Sequence, residues 1–366
     1  MHYYPRALGD SGVTLALWSW ARASARSGCE VAILHAGRLH RDEPRGLFVN
    51  RGGGDGIELA TVPHGGSGRA TLRPLHLERH LGADDVLILH EGWVLSNLLA
   101  ARAAWQAGVP YIVMPHGVYH EEWRRYLRPP LRVRERLERW VLEHAAAVHV
   151  FFPAERAAVG RLAPAARFLV SPTGSDGAPR RWTGGGGYLA WIGRYDPEHK
   201  GLDLLVRALA LVPDTHRPRL RLRGYDYRGG LTTVMADVRK ARLEPWVEIG
   251  GPIGSYEKAE FLARAEGTIL PSRWESHSIA LLESMAMGVP CIVSDHLPIS
   301  SDLAAAGAAI LTSLEPVDIA EAIGRLPLEG PAIGDRAKRL TETDFAWSQI
   351  IPRYLEEVRL LAGPGG

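Results

Sequence analysis

The chain has 366 residues, of which 46% are hydrophobic and 23% charged, and its net charge is +2. That length accommodates two domains of about 100–200 residues, each with its own core, and the near-balanced charge gives no footing for nucleic acid as a main partner. Two distant cysteines, Cys29 and Cys291, exclude a disulfide framework, and no apolar run approaches the ~20 residues of a membrane span.

The start, Met1-His2-Tyr3-Tyr4-Pro5, lacks the basic and apolar segments of a signal peptide, so a cytoplasmic location is expected. A very short first strand and a true start upstream of Met1 both remain open at this point. Short apolar runs then alternate with helical patterns, the mark of parallel sheets with crossover helices. In the first half, strands are expected over Glu30–Leu34, Asp85–Leu89, Tyr111–Met114, Ala147–Phe151 and Arg167–Val170. Helices are expected over Gly12–Arg26, Val94–Ala107 and Leu131–His144, and residues 44–70 read as loops and short strands. Ser171–Gly187, rich in glycine and proline, reads as a linker.

The alternation then restarts. Strands are expected over Tyr188–Ile192, Arg219–Arg223, Val247–Gly250, Gly267–Leu270, Pro290–Val293 and Ala309–Leu311. Helices are expected over Gly201–Leu211, Leu231–Ala241, Tyr256–Ala265, Ile279–Met287, Pro316–Leu326 and Trp347–Leu361. The fold class is α/β, with domains over 1–177 and 178–344 and a last, helical segment within 345–366.

Two motifs carry chemistry. In Trp191-Ile192-Gly193-Arg194 through Lys200-Gly201-Leu202-Asp203, a strand ends at a glycine, an arginine follows, and Lys-Gly opens a helix. A helix N-terminus attracts anions. Arg194 and Lys200, expected to be solvent-exposed without ligand, suit a diphosphate. The bland alternative is a loop with two solvated cations. In the second motif, Pro271 to Pro290, Glu275 and Glu283 stand eight positions apart, two turns at ~3.6 residues each, so both carboxylates can face one cleft. Carboxylates accept hydrogen bonds from sugar hydroxyls. His90 and His116 both end strands, where ligands bind in open α/β sheets.

Together these motifs resemble glycosyltransferase family 4. Gly-Arg, Lys-Gly-x-Asp-x-Leu and Glu-x7-Glu stand in the family's order, and the last runs into Met285-Ala286-Met287-Gly288-Val289-Pro290. Pro115-His116-Gly117, Ser171 to Asp176 and Phe345-Ala346-Trp347 resemble further family landmarks. The resemblance implies a GT-B fold of two Rossmann-like domains facing a cleft, with the C-terminal helix returning to the first. It implies a retaining transferase whose co-substrate is a UDP- or GDP-linked sugar; with no Asp-x-Asp and no His/Cys cluster of ligand spacing, no metal or cofactor is expected. The acceptor would be a glycan, a lipid-linked or a small molecule.

By residue, Arg194 and Lys200 are expected on the diphosphate, Glu283 on the ribose, and Glu275 on the donor sugar. The amides of His277, Ser278 and Ile279 are expected near sugar and phosphate, Gly12 at the diphosphate, His116 at the reacting sugar and His90 on the acceptor side. His277-Ser278 replaces the family's Phe-Gly, and Gly9-Asp10-Ser11-Gly12 its first glycine pair. The arginine-rich run Arg124, Arg125, Arg128, Arg132, Arg134, Arg136, Arg139, interleaved with Trp123, Tyr126 and Trp140, suits peripheral contact with the inner membrane face. Glu135, Glu138 and Glu143 offset that charge and fit a solvated helix face equally well. Rival readings are a catalytically silent sugar-nucleotide binder, a GT-B epimerase or phosphorylase, and a dinucleotide oxidoreductase. The last needs a Gly-x-Gly-x-x-Gly turn that is missing.

Overall fold

The computed structural model describes residues 1–4, 11–35, 56–66, 72–124, 127 and 131–363. Leu8, Gly9, Asp10, Arg125, Tyr126 and Arg128 lie outside them, as does part of 44–70. The chain divides into two units, 1–174 with 347–366, and 175–346.

The first unit is built on strands β1 (His2–Tyr4), β2 (Val31–His35), β3 (Ile57–Thr61), β6 (Leu87–His90), β7 (Tyr111–Met114), β8 (Ala147–Val150) and β9 (Phe168–Val170). Two short strands, β4 (His64–Gly65) and β5 (Arg73–Pro74), pair antiparallel outside that sheet. The sheet runs β3-β2-β1-β6-β7-β8-β9, all parallel. β6, β7 and β8 are buried at every position, as expected for strands covered on both faces. The helices are α1 (Gly12–Arg26), α2 (Leu95–Gln106), α3 (Glu121–Arg124), α4 (Leu131–Glu143) and α5 (Arg156–Leu162). Ser11 caps α1, its hydroxyl accepting from the Thr14 amide. Leu17, Trp18 and Ala21 of α1 bury against Val31, Ile33 and Ile57.

In the second unit the strands are β10 (Tyr188–Ile192), β11 (Arg219–Arg223), β12 (Val247–Gly250), β13 (Gly267–Leu270), β14 (Cys291–Ser294) and β15 (Ile310–Thr312). Their order is β12-β11-β10-β13-β14-β15, again parallel throughout. Counted from β10 this is the doubly wound order 3-2-1-4-5-6. The helices are α6 (Pro197–Lys200), α7 (Leu202–Leu211), α8 (Gly230–Lys240), α9 (Ser255–Arg264), α10 (Ile279–Met287), α11 (Ser300–Ala306) and α12 (Pro316–Thr343). The last helix, α13 (Trp347–Ala362), belongs to the first unit, where Trp347 and Tyr354 pack on Trp20 with centroids 4.8 and 4.5 Å away.

Two readings of the sequence need correction. The helix expected to stop at Leu326 runs on to Thr343, through Pro327 and Pro331. Each proline costs an intrahelical bond. The buried stripe Ile333, Ala337 and Leu340 offsets that cost, and a Cβ at Gly334 would stand only 2.2 Å from the Gly288 carbonyl oxygen. The stretch read as a linker, 171–187, holds no helix or strand and contains the boundary between the two units, and it is hydrogen-bonded along its path. Thr173 is buried and accepts from the Trp20 indole, while Trp182 donates to Ala265 and the Thr183, Gly184 and Gly186 amides donate to Ala263 and Arg264. Glu138 is buried rather than on a solvated face, accepting from the Trp93 amide at 2.9 Å and the Tyr119 hydroxyl at 2.5 Å. No helix among the described residues is long and apolar enough to cross a membrane.

Candidate functional site

In a doubly wound sheet ligands bind where the strand order reverses, beyond the carboxyl ends of the two central strands. In the second unit those strands are β10 and β13. Arg194 follows β10 and Glu275 follows β13, so both key loops of the sequence meet at this crevice.

The first loop departs from its expected form. Lys200 does not open a helix; it closes the single turn of α6, which Asp196 caps, and Gly201 breaks the chain before α7. Gly201 has φ 64°, and a Cβ there would lie 1.9 Å from the Pro271 carbonyl oxygen. Its close approach is to the end of β13.

Two further ties lock the loops together. Arg273 forks onto Asp203 at 2.8 and 2.7 Å and donates to the Glu198 carbonyl. His199, which the sequence reading passed over, joins Arg194 to the second loop. Its Nδ1 accepts from an Arg194 guanidinium N–H, because that donor fixes the lone pair there. Its Nε2–H then donates to the Trp274 carbonyl at 2.7 Å, and the two rings stack 4.4 Å apart. Burial lowers the His199 pKa, with Lys200 and Arg194 adding to the effect against the opposing pull of Asp196 and Glu275.

The two cations are not solvent-exposed. Side-chain exposure is 22% for Arg194 and 14% for Lys200. Arg194 lies over the Tyr227 ring and 3.4 Å from Asp196. Lys200 donates to Glu275 Oε1, which also accepts from the Ser272 hydroxyl at 2.9 Å. Burial pushes the Glu275 carboxyl up, but Lys200, His199 and Ser272 outweigh it and the net shift is downward. Glu275 is therefore an ionised carboxylate whose Oε1 is committed. Its Oε2 remains to accept from elsewhere.

Glu283 repeats the pattern on α10. Lys258 of α9 donates to Oε1 at 2.6 Å, and Oε2 is buried with no hydrogen-bond partner among the described residues. The eight-residue spacing is not a helical repeat, because Glu275 precedes α10 in a loop. Ser278 caps α10, its hydroxyl accepting from the Leu281 amide. That leaves Ile279 and Ala280 in the first turn without intrahelical acceptors. Burial pulls the His277 imidazole down to about 4, against the pull of Glu275.

The matching crevice of the first unit lies between β1 and β6. Gly12 is the first residue of α1, and a Cβ there would meet nothing within 4 Å. His116 follows β7, half-buried, with φ 53°, a left-handed conformation uncommon outside glycine. His90 is fully buried and both of its ring nitrogens are engaged, by His2 and by His116. The direct acceptor-side contact expected of His90 has no nitrogen left to make it. Among the described residues, no group of three His, Cys, Asp or Glu has metal-binding geometry.

Comparison with known proteins bears on both units. Residues 11–174 match the model of a glycosyl transferase 4-like domain, and residues 186–327 that of glycosyl transferases group 1. A phosphatidyl-myo-inositol mannosyltransferase of Propionibacterium freudenreichii is 32% identical over 120 residues, covering 32% of this chain and 28% of that protein. A D-inositol 3-phosphate glycosyltransferase of Mycolicibacterium gilvum is 26% identical over 181 residues, covering 46% and 38%. The matches thus span well under half the length of these curated relatives. Among solved structures, a sucrose-phosphate synthase from Thermosynechococcus elongatus superposes with TM-score 0.76 at 18% identity, covering 98% of each chain. Anabaena HepE in complex with UDP and glucose gives 0.77 at 14% identity, also covering 98% of each. These likenesses establish the GT-B class of the fold.

Proposed function

We infer the activity from one premise: the chain belongs to the glycosyltransferase family that the two matched domains define. The reading we propose is transfer of a sugar from a UDP- or GDP-linked donor to a hydroxyl of a glycan, lipid-linked or small-molecule acceptor, with retention of configuration. The observation that carries it is the charge arrangement beyond β10 and β13. Two cations stand beside two carboxylates, each with one oxygen committed to a lysine and one left over.

A nucleoside-diphosphate sugar presents the complementary groups. Its diphosphate suits Lys200, Arg194 and the first-turn amides of α10. Ribose hydroxyls suit Glu283 Oε2, and sugar hydroxyls suit Glu275 Oε2. Breaking the anomeric bond through an oxocarbenium-like state puts growing negative charge on the diphosphate. Fixed cations and amides stabilise that charge more in the transition state than before it. Same-face attack, with the departing phosphate taking the acceptor proton, accounts for retention without a protein base. HepE has been solved with UDP-glucose, which favours a uridine-linked donor as the first to try.

The test is a turnover screen of UDP-, GDP- and dTDP-linked sugars with and without acceptors, with product anomers read by proton NMR. Turnover of one donor class with retained configuration is expected. An inverted product removes the same-face step. Tight nucleotide binding with no turnover makes the protein a silent binder, and interconversion of the donor sugar without transfer makes it an epimerase.

A further inference from the structure

The sheet of the first unit carries three imidazoles in line. His2 is two residues out of step with its neighbour on β6: it pairs with Ile88, two before His90. His90 in turn pairs with Met114 on β7, two before His116. Residues two apart on a strand share a face. The parallel register therefore steps one histidine per strand diagonally across β1, β6 and β7. His2 Nδ1 and His90 Nε2 are 2.9 Å apart, and His90 Nδ1 and His116 Nε2 are 2.8 Å apart. The chain crosses the point where the strand order reverses, and its half-buried end is His116.

A neutral imidazole offers one N–H and one lone pair. His90 uses both, so the direction of one bond dictates the other. Either both protons point from His2 toward His116, or both point back. His2 and His90 are 3% and 0% exposed, and burial holds both imidazoles far below their usual pKa. The charged and titratable groups acting on them are His116, His149 and the N-terminal ammonium, besides each other, and no carboxylate is among these. An aspartate in place of His2 would make His116 a strong base. A buried imidazole does the opposite: it supplies a hydrogen bond of either polarity and no charge.

We propose that His2 and His90 are positioning residues, which tie the tautomer of His116 to their own and so set the polarity of the hydrogen bond with which it meets a sugar hydroxyl. The role at a sugar hydroxyl rests on the transferase reading; the coupling of the three rings does not. Two sets of measurements separate them. Nitrogen-15 spectra of histidine-labelled protein should show the His2 and His90 rings neutral through the usual imidazole range, with the tautomers of all three rings of one sense at pH 8. His2→Ala should scramble the His116 tautomer, and His2→Asn, whose amide stands where Nδ1 does, should restore it.

In kinetics, His90→Leu should lower kcat by roughly tenfold to hundredfold, shift the pH profile, and leave nucleoside diphosphate affinity unchanged. His2→Asn should keep most of the activity that His2→Ala loses. A His116 tautomer and pH profile unmoved by both His2→Ala and His90→Leu would overturn the proposal and leave the rings as core packing. If His90→Leu does not fold, the His2 pair decides alone. Coupled tautomers in a protein that turns over no donor would sink the transferase reading and the hydroxyl role while sparing the coupling.

Discussion

At the carboxyl ends of β10 and β13 the second unit gathers Arg194, Lys200, Glu275 and Glu283, with Lys258 behind the last. In the first unit a hydrogen-bonded row of imidazoles runs from His2 at the start of β1, through His90 at the end of β6, to His116 beyond β7, and burial holds the first two neutral. The sheets share parallel topology and a reversal of strand order. The difference is charge, and it teaches what each crevice can hold. A charged crevice pairs with a charged ligand and repays its desolvation only when every charge is matched. A row of hydrogen-bonded imidazoles that ends at the half-buried His116 suits, at that ring, a group that carries hydrogen bonds but no charge, such as a hydroxyl. Under the proposed reading, the charged crevice of the second unit suits a diphosphate and the imidazole row of the first suits a hydroxyl.

The largest effect is expected from breaking the charged side. Lys200→Ala should lower kcat/KM by about 10²–10³, or ~2–4 kcal/mol, the scale of losing one oxyanion donor. Arg194→Ala should fall in the same range. Lys200→Ala also strands Glu275 beside only Ser272 and His199, so a modest fall in Tm belongs to the expectation. Near-normal kcat/KM in both variants would end the diphosphate assignment.

A smaller effect divides the two glutamates. Glu283→Gln should raise the donor KM and weaken nucleoside diphosphate binding by roughly tenfold, since ribose contacts count equally in ground and transition states. Glu275→Gln should instead lower kcat, because its bonds fix the sugar ring against the breaking bond, and should leave nucleoside diphosphate affinity within about threefold of wild type. Calorimetry with the free diphosphate separates the two. Unchanged binding in Glu283→Gln would remove the ribose contact.

Much of this was legible in the sequence because the second unit's site is local. Gly193 to Asp203 and Pro271 to Pro290 are continuous segments, and strand-to-helix turns follow from the switch between periods of 2 and 3.6. What the segments could not reveal is how they engage each other. Lys200 and Glu275 neutralise one another, and Arg273 and His199 clamp the loops, only because β10 and β13 are neighbours. The first unit's site was less legible for the same reason. His2, His90 and His116 come from three strands, and a register, not a motif, aligns them. α12 ran past its prolines because tertiary packing outweighed local preference.

Acid should expose the neutral side. The unfolded chain takes up histidine protons below about pH 6.5, whereas the buried rings resist. Their stabilisation is complete above that pH and is lost as pH falls toward the lowered folded values. His149, fully buried and pulled down to about 4 by burial, contributes about 3 kcal/mol across that window. Stability by urea titration should therefore fall steeply from pH 6.5 to 4. His149→Phe should make the slope shallower, even if it lowers stability at pH 7. An unchanged slope would mean that His149 is protonated in the native state.

The smallest change in structure comes from adding one methyl to one glycine of each unit. Gly201→Ala places a Cβ against the Pro271 carbonyl at φ 64°, so it should destabilise the protein by about 2–4 kcal/mol. Gly12→Ala meets nothing within 4 Å and sits at the first position of α1, where φ is not left-handed. By helix propensity and reduced unfolded-state entropy it should be neutral, or stabilising by up to about 1 kcal/mol. That makes it a clean probe of proximity, since no packing defect accompanies it. If the donor diphosphate approaches the start of α1, the added methyl occupies the approach, and the donor KM should rise severalfold while Tm holds or increases. An unchanged KM in the stable variant would mean that the diphosphate is held by the second unit without the start of α1.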